Sequence, residues 1–187
     1  RFAESQLVKI APVFLLDKAE NGGLGLSTAT VGVVYGTIGV IALTVGGLLS
    51  AWLISRHGMQ RWLWPMALAI NVPNAVYVYM ALVLPGSVEL IATLVAIEQF
   101  GYGFGFTSYV LYMIMTAKGD HQTAHYAICT GFMALGMMLP GMPSGWLQSQ
   151  MGYSNFFIWV CVATIPSFVV TALIRIEPGF GTRQRDG

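Results

Sequence analysis

Six apolar runs, separated by short breaks rich in glycine, proline and polar residues, set the pattern of this chain. The runs cover roughly residues 1–16, 27–54, 62–84, 89–117, 125–148 and 155–174, and most are close to the ~20 apolar residues that a bilayer-crossing helix needs. Ser27 and Thr28 are N-cap candidates for the second run. Pro73, between Asn71 and Asn74, predicts a kink in the third, where neighbouring polar side chains or water would satisfy the freed backbone groups. The first run looks short and carries Arg1, Glu4 and Lys9.

Composition makes the membrane reading firm. Of 187 residues 56% are hydrophobic and only 9% charged, against about 25% in an ordinary soluble domain. Mean hydropathy is +0.68. A net charge of +1 provides no basic field for nucleic acid and no acidic tail. Cys129 and Cys161 both lie in apolar runs and match neither a disulfide framework nor a metal-ligand spacing.

The basic residues fall asymmetrically. Arg56, Arg61, Lys118, Arg175, Arg183 and Arg185 lie at one face of a six-span arrangement together with Arg1, whereas Lys18 lies in a loop at the other. Short cytoplasmic loops collect lysine and arginine, so both ends of the segment are expected to be cytoplasmic, in the cell (inner) membrane.

Ala51–Gly58 is matched 94 positions later by Gly145–Gly152, with Trp, Leu, Ser and Gly in register. Each copy joins the second and third helices of a three-helix set. Three is odd, so the two loops face opposite sides, which predicts an all-α membrane fold built as a 3+3 inverted repeat with units of about 1–84 and 85–175 and a tail at 176–187. The same offset aligns Glu4 with Glu98 and implies that the first span begins upstream of Arg1.

A carboxylate at membrane depth is costly, about 2.5–3.5 kcal/mol on insertion scales, and normally faces a cavity or a partner. Glu98 shares a helical face with Tyr102, Gly105 and Tyr109, which makes it the leading proton-coupling or solute-contact candidate, with Glu4 second. Bonding to a neighbouring helix is the structural alternative for each. Arg1, Asn71, Asn74, Tyr77, Gln99, Tyr102 and Tyr109 are cavity candidates, and for the two asparagines interhelical hydrogen bonding explains the pattern equally well. Gly32 and Gly36, Gly101 and Gly105, and Gly141 and Gly145 stand at small-xxx-small spacing, which predicts close helix packing. Gly101–Gly105 lies inside an apolar span, the wrong context for a phosphate loop. His121 and His125 stand at i, i+4 beside Asp120, a spacing that can bind metal, but no further ligands at helical spacing accompany them, and Met133, Met137, Met138 and Met142 read as packing or lipid-facing residues, so no metal and no cofactor are expected. No nucleophile and base are visibly paired, so no catalytic residue is nominated.

Ala51, Ser55, Arg56, Gly58 and Arg61 stand where the major facilitator superfamily carries its Gly-x-x-x-Asp-Arg-x-Gly-x-x-Arg loop, with serine in place of the aspartate. Gly22–Gly32, Glu98–Gly105 and Ser144–Leu147 further resemble the branch that holds the AmpG-like muropeptide permeases and the acetyl-CoA transporters. The resemblance implies a carboxy-terminal six-helix half that works with an amino-terminal half, lipid, protons and a small solute. It implies secondary, proton-coupled transport of a muropeptide or related sugar-peptide, with acetyl-CoA or another organic anion as the alternative. An intramembrane enzyme and a non-transporting receptor are the rivals from other classes.

Overall fold

The computed structural model describes residues 1–117 and 119–182; Lys118, Arg183 and Arg185 of the charge argument lie outside the described residues. Those residues are arranged almost entirely in helices. The first helix is Phe2–Leu16. Three helices that are long and apolar enough to cross a membrane follow at Thr28–His57, Met59–Val83 and Val88–Thr116. The chain continues through Gln122–Gly141 and Ser144–Val162 to Ile165–Leu173. Large apolar side chains point outward, including Leu173 at 76% exposure, Met142 at 75% and Phe132 at 70%. Such a surface is stable in lipid and not in water, and the chain is an integral membrane protein.

Ser27 caps the second helix by accepting from the Thr30 amide at 3.1 Å, and Ser87 caps the fourth by accepting from the Leu90 amide at 3.3 Å. Gly58 ends the second helix with φ +81° and ψ 154°. Gly152 breaks the later helix with φ +74° and ψ 166°, a conformation close to that of Gly58 and open to glycine alone. These two breaks are 94 residues apart, as are the helix starts at Thr28 and Gln122. Helix packing has a matching cross-over. The fourth helix lies against the second and third, and the first lies against Gln122–Gly141 and Ser144–Val162.

Within the second helix, Gly32–Gly39 is a π-helical stretch. Here the packing expectation needs correction: Gly32 and Gly36 are exposed, with nothing within 4 Å of where a Cβ would stand, and the same holds for Gly145. Both second-helix glycines lie within the widened stretch, on the exposed side of the helix. Close approach occurs instead further along the helix. A Cβ on Gly46 would strike the Phe100 carbonyl, and one on Gly103 the Leu43 carbonyl. Gly105 lies against Ile70 and Met66, and Gly141 against the Ser5 carbonyl.

The third helix is interrupted at Val72–Asn74 by a 3-10 turn. Pro73 has no amide to offer the Ala69 carbonyl four residues earlier. That carbonyl lies against Gly101, whose missing side chain lets the fourth helix reach it. Asn71 Nδ2 donates to the Ala67 carbonyl at 2.8 Å.

Two apolar cores form at opposite ends of the bundle. One joins Phe14, Leu15, Tyr77, Met80, Ile91, Tyr153, Phe156 and Phe157. It is closed by the 17–26 loop, where the Leu24 amide donates to the Phe14 carbonyl, the Leu26 amide to the Leu15 carbonyl, and the Tyr153 hydroxyl to Asp17 Oδ2 at 2.9 Å. At the other end, Ile54, Met59, Met66, Phe104 and Met115 pack with Ile176 of the segment after the last helix. The Phe180 carbonyl there accepts from the Met59 amide at 2.9 Å.

Two outcomes follow from this packing. Gly103→Ala places a methyl against the Leu43 backbone, where overpacking costs about 1–3 kcal/mol, whereas Gly145→Ala meets open space and is neutral or slightly stabilising. Thermal unfolding of the purified variants in detergent measures the contrast, and equal melting temperatures would contradict the crossing described.

At the loop, hydrogen bonds from Asn21 and Tyr153 hold the Asp17 carboxyl below its usual value. A depressed folded pKa contributes stability that is full above the ordinary aspartate value of about 3.9 and disappears as pH falls through the folded value. Tyr153→Phe is therefore expected to lower the melting temperature at neutral pH, with the gap to the parent narrowing in acid. A gap that does not change with pH would remove the Asp17 contact from the account.

Candidate functional site

A cavity of about 360 Å³ opens between two groups of helices. One wall is the first helix and residues 163–174; the other is the first half of the third helix and the second half of the fourth. It lies towards the end that carries His57, Met59 and Thr116, away from the Phe14–Tyr153 core. Among the sequence candidates, Arg1, Glu4, Asn71, Gly105 and Tyr109 line it. Asn74, Tyr77, Gln99 and Tyr102 do not. The 3-10 turn at Val72–Asn74 resets helical register, so Asn71 faces the cavity while Asn74 and Tyr77 turn into the protein.

Arg1 organises the polar part of the wall. Its Nη1 donates to Glu4 Oε1 at 2.7 Å and Oε2 at 2.8 Å, and lies 3.3 Å from the Tyr102 hydroxyl. The two side chains are only 11% and 14% exposed. The guanidinium carbon sits 4.5 Å from the Phe106 ring centre and 5.1 Å from that of Tyr109. The aromatic rings themselves stack along the fourth helix, Tyr102 on Phe106 and Phe106 on Tyr109. Cation–π attraction and the carboxylate together make burial of this cation tolerable.

Glu98 has different company. Its Oε2 accepts from Gln99 Nε2 at 3.0 Å and from the Tyr77 hydroxyl at 3.4 Å. Glu98 is 7% exposed and Tyr77 fully buried. Among the described residues no cation pairs with it, whereas Glu4 has Arg1. The buried Asn74 Nδ2 has no hydrogen-bond partner among the described residues. The shared face of Glu98, Tyr102, Gly105 and Tyr109 thus meets three surroundings: Tyr77 and Gln99 at Glu98, the arginine at Tyr102 and Tyr109, and the third helix at Gly105.

The Ser55–Arg61 loop lies at the cavity's end of the bundle. Ser55 Oγ donates to the Trp52 carbonyl at 2.8 Å, and the Arg56 guanidinium covers the Trp52 ring at 4.7 Å. Gly58 makes the turn, and Arg61 is exposed in the first turn of the next helix.

Sequence reasoning missed Ser108, Tyr112, Ser167 and Thr171, all of which line the cavity. Both pairs are spaced i, i+4 and therefore share a helix face, which was the available signal. Ser108 donates to the Gly105 carbonyl at 2.7 Å and Thr171 to the Ser167 carbonyl at 2.8 Å, so their oxygens remain as acceptors toward the cavity.

No protein-family model matches the chain. Curated proteins similar to it include the anhydromuropeptide permease of Escherichia coli K12, 24% identical over 153 residues, and the putative transporter AmpG 1 of Rickettsia felis, 21% identical over 149. These alignments cover 82% and 80% of this chain but 31% and 33% of the relatives. An uncharacterized protein of Haemophilus influenzae is 21% identical over 168 residues, with 87% of this chain and 38% of that protein covered. The chain thus spans about a third of the length of these relatives and resembles AmpG-type permeases over most of its own length.

Proposed function

We propose that this chain is the carboxy-terminal six-helix half of a secondary transporter that moves a muropeptide-like solute across the inner membrane with protons. The cavity carries this reading: a concave, largely apolar space with a few convergent polar groups, formed between two helix groups and closed at one end by a packed core. Relatives named permease and transporter point the same way. An amino-terminal half would supply the facing wall. The 94-residue spacing of Gly58 and Gly152, with their matching backbone angles, supports an inverted 3+3 repeat.

With Arg56 and Arg61 on the cytoplasmic side, the cavity opens inward and the Phe14–Tyr153 core seals the outside. Alternating access would open that core and close the cavity end. Glu98 is the proton carrier in this scheme, because it lies between the sealed core and the cavity and has neutral partners that can serve both its charged and its neutral form. Gln99 donates to a carboxylate and can accept through its own carbonyl, and the Tyr77 hydroxyl both donates and accepts. Glu4, held by Arg1, is reserved for keeping the cation in place.

In the complete transporter, Glu98→Gln is expected to abolish accumulation driven by a pH gradient while leaving exchange between equally loaded sides, which needs no net proton movement. Proteoliposome uptake under the two conditions measures this. Full accumulation by the variant would exclude Glu98 as the essential carrier, and equal loss of both activities with reduced melting temperature would make it structural.

A further inference from the structure

The Arg1 guanidinium is only half used. Its five N–H donors form two edges that each match a carboxylate. Glu4 takes Nη1 with both oxygens. On the other edge, Nε is buried and has no hydrogen-bond partner among the described residues, and Nη2 meets only the Met133 sulfur at 3.8 Å, a weak acceptor. An unmet donor on a buried cation is unfavourable, and a buried group left in that state calls for an explanation.

The surroundings suit an incoming anion. Phe106 and Tyr109 flank the guanidinium, and Tyr109 also lines the cavity, as Arg1 itself does. Glu4 fixes the cation from the far edge, so no rotamer search is needed when a ligand arrives. The Met133 sulfur lies across the free edge, and a flexible thioether moves aside at small cost. Were Arg1 only a structural partner of Glu4, one edge would suffice and the other would turn to solvent or a backbone carbonyl.

We propose that the Nε–Nη2 edge of Arg1, beside the cavity that Arg1 itself lines, is a carboxylate subsite, which receives an acid group of the transported solute while Glu4 stays on Nη1. The proposal rests on the transport reading above and adds to it the ligand group and the atoms that bind it. The proposal requires displacement of Met133 from Nη2.

The test uses the complete transporter with N-acetylmuramic acid and its methyl ester, which differ in the one negative charge, and measures both binding by calorimetry and uptake into proteoliposomes. The parent is expected to bind the acid about tenfold or more tighter than the ester, because a polar site rejects the analogue that leaves it unpaired. Arg1→Gln should remove the preference. Arg1→Lys keeps a charge for Glu4 but loses the planar edge, so a folded variant that binds acid and ester alike supports the subsite even if Arg1→Gln does not fold. Met133→Ala should keep the preference or strengthen it. Equal binding of acid and ester by the parent, or an undiminished preference in Arg1→Lys, would overturn the proposal. An acid preference in binding that depends on Arg1, with no uptake of either compound or of a muropeptide, would uphold the subsite and sink the transport reading.

Discussion

The close crossing of the fourth helix over the second and third is the constraint on which the rest depends. In lipid there is no hydrophobic drive to press helices together, so association comes from packing, and packing requires backbones that can touch. Gly46 and Gly103 supply that on the second helix side, Gly101 and Gly105 on the third. Side-chain-free surfaces at these points fix the rotation of the fourth helix. That rotation sends Glu98 to Tyr77 on the third helix and turns Tyr102, Phe106 and Tyr109 toward Arg1 on the first.

Glu4 and Glu98, 94 positions apart in the sequence, are thereby given unlike surroundings. Glu4 is neutralised by a cation that is also held by aromatic faces. Glu98 is met by a phenol and an amide, groups that carry no charge of their own. The first arrangement is a fixed pair suited to presenting Arg1, and the second leaves a carboxyl whose charge is not cancelled by the protein. The helix rotation produces this asymmetry, and the proposed roles of Arg1 and Glu98 depend on it.

Much of the architecture was legible because apolar runs of bilayer length have to be helical in lipid. The match of 51–58 with 145–152 pointed to a linking turn near Gly58 and near Gly152, where the structure has two breaks of like backbone angles. Glu98 stood out for the same kind of reason, since a carboxylate at depth demands a partner. What spacing could not show was the consequence of Pro73. A 3-10 turn over Val72–Asn74 shifts the register, which separates Asn71 from Asn74 and Tyr77. Small-xxx-small spacing likewise named Gly32, Gly36 and Gly145 with the same weight as Gly101, because spacing identifies a stripe and not what lies against it. The π-helical stretch that holds Gly32 and Gly36 leaves no signature in the residue pattern. Ser108, Tyr112, Ser167 and Thr171 went unnoticed because hydroxyls at helical spacing are common in membrane helices and only the cavity distinguishes them.

The central claim is that the space between the Arg1 helix and the third and fourth helices lies on a solute path that opens to the cytoplasm. Single cysteines at Tyr109 and Thr171, both in the cavity wall, and at Leu173, 76% exposed on the outer surface of the bundle, test it most directly in the complete protein. A water-soluble thiol reagent supplied from the cytoplasmic side is predicted to label the two cavity positions, a muropeptide to slow this labelling, and labelling at Leu173 not to respond to the solute. Labelling at Tyr109 and Thr171 that is absent, or equally fast with and without solute, would contradict the claim.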